Sequence, residues 1–218
     1  MELDSALKDL SLMVGKGEKV LWFSKPDKLC FVLESIFNPL LPFAPVWLII
    51  DSLVIFGAFV SGINEGGDTF FIIPFMLLHL MPVWIYLGGV LFTSLRYKNT
   101  AYVVTTGGVY ISGGIFARTF FVKPFAELSH VSIHRGILDQ IIGVGDVIMS
   151  SADVDVPSNA RSCFGISICD IVDYQRVFKM IKDLQTDVYS DTMFPNAFRP
   201  EENPGYNTQY VAKREWFK

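Results

Sequence analysis

Between Lys28 and Arg96 the chain carries no lysine and no arginine, and most of its Phe, Leu and Ile crowd into that interval. A long apolar stretch without basic residues is costly to expose to water and is accepted by a bilayer. Residues 70–95 read FFIIPFMLLHLMPVWIYLGGVLFTSL, with no charge. At the helical rise this run reaches roughly 39 Å, against ~30 Å of bilayer hydrocarbon, so one transmembrane span is expected there. A second run, PLLPFAPVWLIIDSLVIFGAFVS, is expected to form the other span, over 39–61. Asn38 is its candidate N-cap and Pro39 its first helical residue. Pro42 and Pro45 each lack a backbone donor, so this helix is expected to kink near its start or to begin after Pro45. Just before it, Leu29, Val32, Leu33, Ile36 and Phe37 share one helical face, the spacing of an interfacial amphipathic helix. Residues 62–69 form a short Gly-rich turn with Glu65 and Asp68.

Lys16, Lys19, Lys25 and Lys28 precede the first run, Arg96 and Lys98 follow the second, and the turn has no basic residue. By the excess of basic residues on cytoplasmic flanks, the expectation is a multi-pass plasma-membrane protein with both termini cytoplasmic. The apolar fraction of 51% and the charged fraction of 18% agree with a membrane section. A formal charge of −4 argues against nucleic acid as a partner. The first twenty residues hold no apolar core, so no cleavable signal peptide is expected. Cys30, Cys163 and Cys169 lack CxxC spacing and are read as reduced thiols.

Asp51 and His79 are the polar residues of interest inside the two runs. Counted back from Ser61 and forward from Phe70, they reach similar depth in an antiparallel hairpin, roughly 15 Å below its outer boundary. A carboxylate at membrane depth is costly and is a functional candidate by default. Two readings stand: a proton or ion path, or a polar contact that locks helices or subunits together.

After Arg96 the pattern changes to short alternating strands. AYVVTT leads to a Gly107-Gly108 hairpin turn, then VYIS, a turn at Gly113-Gly114, and IFARTFFV. Further strands are expected over 127–134, 146–151 and 162–168. Asp170 is the candidate N-cap of a closing helix whose apolar stripe is Ile171, Tyr174, Val177, Phe178, Ile181 and Leu184. The expected organisation is an N-terminal cytoplasmic segment over 1–28, a two-helix membrane hairpin over 29–96, a domain over 97–186 and a tail over 187–218. The fold class is therefore a membrane α-helical hairpin plus an α+β domain.

Tyr102, Thr105, Gly114, Pro124, Phe125, Leu128, Val131, Gly143, Gly145, Asp146 and Val147 fall in an order that resembles the bacterial pleckstrin-homology (PH) domain family. The upstream GEKVLWFSKP, residues 17–26, is similar to the opening of members with a membrane hairpin before the domain. The resemblance covers residues 15–185. It departs at Thr106-Gly107-Gly108, where many members carry Asn-x-Arg. It implies a PH-like bent antiparallel sheet or barrel capped by a C-terminal helix, and an adaptor or assembly role.

Lipid recognition by a PH domain calls for clustered Lys and Arg, and the early hairpin offers only Arg118 and Lys123. Basic and acidic residues balance over 97–186. The end of the tail, VAKREWFK, sets Lys213 and Arg214 beside aromatics and suits an anionic leaflet or a protein partner. His130 and His134 share a strand face, and with Asp139 they make an incomplete metal set, so no metal is expected. Gly143-Val-Gly-Asp146 reads as a turn, and Asp153, Asp155 and Asn159 do not make a calcium loop. No nucleophile–base pair or cofactor motif is visible. The reading is a non-enzymatic, membrane-anchored interaction module that contacts the bilayer and a protein partner or its own copies. The alternative is a small oligomeric channel or transporter subunit built on Asp51 and His79.

Overall fold

The structure, a computed structural model, describes residues 5–60, 69–151 and 167–193. It divides into two compact units, one built from residues 1–31 and 95–218 and the other from residues 32–94. In chain order the helices are α1 (Ser5–Met13), α2 (Lys28–Ile36), α3 (Phe43–Val60), α4 (Thr69–His79), α5 (Met81–Leu91), α6 (Thr93–Asn99), α7 (Ile137–Ile142) and α8 (Tyr174–Met193).

The first unit holds two antiparallel sheets. β1 (Val20–Ser24), β2 (Ala101–Thr105), β3 (Gly108–Gly113) and β4 (Thr119–Pro124) pair in that order. β5 (Leu128–His134), β6 (Gly145–Ser151) and β7 (Ser167–Ile171) form the second sheet. Side chains alternate across a strand, so β2 sends Tyr102 and Val104 to one face and Ala101 and Val103 to the other. Both faces are covered, and all of β2 is buried. Tyr102 and Val104 join Trp22, Ile111, Val147, Met149 and Ile168 in the main core, closed by Val177, Ile181 and Leu184 of α8. Ala101 and Val103 meet Ala6, Leu7 and Leu10 of α1 on the other side.

Several expectations are corrected in this unit. The N-terminal residues are not a separate segment: Val20 to Ser24 pair with β2 (Trp22 opposite Val104, Ser24 opposite Tyr102), and α1 packs on the same sheet. Residues 115–118 form the turn before β4 rather than the start of the strand. Asp170 does not cap a helix. It lies within β7, one residue before its end, at φ 55°, and α8 begins at Tyr174, with the Val177 amide donating to the Asp173 carbonyl at 3.0 Å. The helix runs on to Met193, past the expected boundary at 186, because Val188 extends the stripe of Val177, Ile181 and Leu184 against the core. The short helix α7 was not foreseen; Gly143, at φ 89°, ends it in the left-handed conformation favoured by glycine. Cys30 is a buried thiol outside any disulfide, whereas Cys169 is disulfide-bonded, which corrects the reduced reading at that position. The loop of Asp153, Asp155 and Asn159, the turn of Glu65 and Asp68, and Lys213 and Arg214 lie outside the described residues.

The second unit holds α3, α4 and α5, with α3 packed chiefly on α5. Among the described residues no helix is long and apolar enough to cross a membrane. α3 has 18 residues, about 27 Å of helix, short of ~30 Å of hydrocarbon. It begins at Phe43, so Pro45 sits in its first turn, where the missing donor has no intrahelical partner to lose. Asn38 caps no long helix: its Oδ1 accepts the Leu40 amide at 2.8 Å within a turn. The run over 70–95 is not one helix either. α4 and α5 have 11 residues each and part at Leu80, because Pro82 has no N–H to continue the ladder. In α2 the buried residues are Cys30 and Phe31, while Leu29 is 59% exposed.

Packing of α8 closes the main core. Leu184→Ala should cost about 2–5 kcal/mol in denaturant unfolding of the full chain. Ile137→Ala, at a position 80% exposed, should stay within about 0.5 kcal/mol. Equal effects would contradict this assignment of the core.

Candidate functional site

Asp51 and His79 meet in the second unit. His79 Nδ1 lies 2.7 Å from Asp51 Oδ1, and Asp51 is 1% exposed. Trp47 and Asp51 are one helical turn apart on α3, and Phe75 and His79 are one turn apart on α4, so each pair shares a face. The two aromatic rings flank the imidazole at centroid distances of 5.3 Å and 5.6 Å, with interplanar angles of 27° and 22°. The Trp47 indole N–H donates to the His79 carbonyl at 2.8 Å. His79 is the last residue of α4. Asp51 Oδ2 is buried and has no hydrogen-bond partner among the described residues. The set hydrogen-bonds a carboxylate to an imidazole, and it contains no nucleophile. Trp47 and Phe75 were missed from the sequence; their signal was the spacing of four from each polar residue.

Elsewhere in that unit the Ser35 and Thr93 hydroxyls hydrogen-bond to each other, and the Tyr86 hydroxyl donates to the Ile36 carbonyl at 3.2 Å. Polar side chains therefore sit at helix contacts, while large apolar ones point outward. Leu53 is 65% exposed, Phe56 65%, Leu78 72% and Leu91 74%.

The basic residues considered for lipid contact fall into different roles. Arg118 is engaged within the first unit: it pairs with Asp9 of α1, and donates to Ser5 Oγ at 2.8 Å and to Asn99 Oδ1 at 3.0 Å. The Asn99 amide in turn holds the carbonyls of Gly114 (3.2 Å) and Ile115 (3.0 Å). Arg118 thus fastens α1 to the β3–β4 turn. Lys123 is half-buried on β4 opposite Val109, apart from that network. His130 is exposed on β5. His134 lies 3.7 Å from Asp146 and close to Asp139.

A family model described as bacterial PH domain matches residues 52–185. The chain belongs to that family. No curated protein and no solved structure matches it.

Within the PH domain the upstream GEK motif has a defined place. Glu18 lies against the β2–β3 hairpin, accepting from the Thr105 hydroxyl at 2.5 Å, with the Tyr110 hydroxyl 3.1 Å from both carboxylate oxygens. Burial raises the Tyr110 phenol pKa, and the Glu18 charge adds to the rise. Thr105 Oγ1 also accepts the amides of Gly107 and Gly108, at 3.2 Å and 3.1 Å. A Cβ at Gly108 would come within 2.6 Å of the Lys123 carbonyl oxygen. The residue standing where many PH relatives carry Arg is therefore closed to a side chain by the neighbouring strand.

Asp51→Asn and His79→Gln should be coupled in a double-mutant stability cycle, by about 1 kcal/mol. Additive effects would mean that the contact contributes nothing of its own.

Proposed function

We propose that this protein is a non-enzymatic, membrane-anchored interaction module. Residues 32–94 are the anchor, and the PH domain is the part that engages a protein partner or a second copy. PH domains are generally binding rather than catalytic folds, and no nucleophile–base pair occurs among the sites described. The observation that carries the anchoring is the inverted polarity of residues 32–94. Asp51 and Thr93 are 1% and 2% exposed, while the surface is built from Phe, Leu and Ile. Exposed apolar area on that scale needs a cover, and lipid is a cover that needs no complementary shape.

No single described helix is long enough to span. In this reading α4 and α5 cross together as one proline-broken path, and α3 relies on local thinning of the bilayer. The edge strand β4, with Thr119 and Val122 exposed, offers pairing positions for a partner.

Basic flanks favour both ends on the cytoplasmic side. The disulfide at Cys169 favours an oxidising compartment. A C-terminal reporter decides between these. Cytoplasmic ends predict a fluorescent green-fluorescent-protein fusion and an inactive alkaline phosphatase fusion, and the converse would move the PH domain across the membrane. Anchoring predicts that the chain resists alkaline carbonate extraction. A chain that washes off intact membranes would overturn the anchor.

A second reading is a channel or transporter subunit, favoured by the buried Asp51 oxygen without a partner. It predicts that Asp51→Asn abolishes ion flux in proteoliposomes while leaving the assembled oligomer intact. In the module reading the purified chain shows no flux to lose.

A further inference from the structure

Strand register sorts the connections of the PH domain between two ends. In the first sheet Ser24 pairs with Tyr102, Ala101 with Ser112 and Gly113 with Thr119, so the end of β1, the start of β2 and the β3–β4 turn share one end. In the second sheet His134 pairs with Asp146 and Gly145 with Ile171, which puts α7 and the residues after β7 together. The Asp27 amide donates to the Asp170 carbonyl at 2.7 Å and joins the two groups. Both exits toward residues 32–94 are at this end. Phe31 donates its amide to the Asp27 carbonyl at 3.0 Å, and its ring centroid lies 5.9 Å from that of Tyr97, which follows closely on Leu95.

The same end carries exposed apolar side chains on separate segments. Phe116 is 79% exposed in the β3–β4 turn, with Ile115 exposed beside it. A Cβ at Gly114, φ 130°, would collide with the Ala117 carbonyl, so glycine is what lets this turn close and puts both residues at its tip. On α7, Ile137 and Ile141 are 80% and 76% exposed and share a face, one helical turn apart. Asp139 lies on the opposite face, where the Cys30 thiol donates to its Oδ1 at 3.3 Å and the Gly136 amide to its Oδ2 at 2.6 Å. That inward grip holds the isoleucines outward. Leu29, next to Cys30, is 59% exposed, and Val172, just after β7, is 67% exposed.

The other end is different. Its described connections include residues 106–107 and 125–127, held together by the Phe125 amide, which donates to the Gly107 carbonyl at 3.1 Å. Thr106 and Gly107 are half-buried, Phe125 is buried, and the exposed residues are Ala126 and Glu127. Charge at the apolar end suits an anionic surface. Lys28 and Lys98 are exposed, Lys25 lies over the Tyr97 ring at 5.1 Å, and Arg96 lies over the Phe31 ring at 5.5 Å. Of the acids there, Asp139 and Asp170 are fully buried, Asp27 caps α2 by accepting the Cys30 amide at 2.9 Å, and Asp173 is exposed. Basic residues beside aromatic rings match the headgroup layer of a membrane.

We propose that this end of the PH domain dips into a lipid leaflet, with Phe116, Ile137 and Ile141 reaching the acyl boundary and Lys28 and Lys98 meeting anionic headgroups. This rests on residues 32–94 being the membrane anchor, since both exits then hold this end beside the leaflet. An exposed apolar set needs a cover, and lipid covers tips from separate segments without a matching shape. Next to an anchor the contact is effectively intramolecular, so a few apolar side chains suffice where a free domain would need more. The contact also decides which end of the domain is left for a partner: the one with residues 106–107 and 125–127, where Glu18 seats on the hairpin.

The test labels the full chain with an environment-sensitive fluorophore at Phe116→Cys, Ile141→Cys or Ala126→Cys and reconstitutes it in vesicles of equimolar phosphatidylcholine and phosphatidylglycerol. The unsubstituted chain gives the labelling background, since Cys30 is buried and Cys169 is disulfide-bonded. Probes at Phe116 and Ile141 should emit further to the blue and lose fluorescence to nitroxide-labelled lipid, while the probe at Ala126 keeps its fluorescence. Ile137→Glu, at an exposed position where the fold tolerates a charge, should cost the Ile141 probe most of that quenching. Vesicles that retain the chain through carbonate washing, with the probes at Phe116 and Ile141 as wet as the one at Ala126, overturn the proposal and leave the anchor standing. Probes shielded from water yet untouched by nitroxide lipid, as a protein cover would give, overturn it too. Loss of the chain on washing would refute the anchor and the proposal together.

Discussion

The pairing of β1 with β2 holds this molecule together. Val20 to Ser24 and Ala101 to Thr105 are adjacent in space and separated in sequence by the whole apolar interval. Bringing such distant segments together costs closure entropy, which grows only slowly with loop length. Burial of Leu21 and Trp22 against Tyr102, Val104 and α8 offsets it. Once the pair forms, both ends of residues 32–94 are held by one sheet. The Glu18 carboxylate strengthens the same closure, tying the chain before β1 to Thr105 and Tyr110 of the hairpin that follows.

The two units solve opposite solvent problems. The PH domain buries its apolar residues behind two sheets and two helices, as a chain in water must. Residues 32–94 do the reverse, with Asp51, His79, Ser35 and Thr93 paired at helix contacts and the large apolar side chains outside. Within a bilayer, apolar packing between helices gains little over contact with lipid, so small and polar residues at contacts carry the specificity. The Asp51–His79 contact, flanked by Trp47 and Phe75, has that character.

Local patterns were the legible part. Strand alternation located most of β2, β3, β5 and β6, and the 3.6-residue stripe located α8. Equal depth in a hairpin brought Asp51 and His79 to notice as a pair. Positions whose state depends on distant neighbours were not legible. Arg118 looked like a lipid contact until Asp9, Ser5 and Asn99 occupied it. Asp170 looked like a cap, and it sits instead at positive φ beside Asp146. A run of apolar residues over 70–95 could not reveal its break, since Pro74 lies inside α4 while Pro82 opens α5.

The sequence alone determined that the chain has one interval hostile to water and one β-rich, helix-capped domain, because hydropathy and periodicity act over a few neighbouring residues. It also carried the ordered residues of the PH domain family. The tertiary structure decided that the N-terminal strand belongs to that domain, that Glu18 seats on a hairpin almost ninety positions away, and that Asp139 meets His134 and Asp146 in one cluster and Cys30 and Asp170 in another. Those facts depend on strand register and loop closure between distant segments, which no short window of residues encodes.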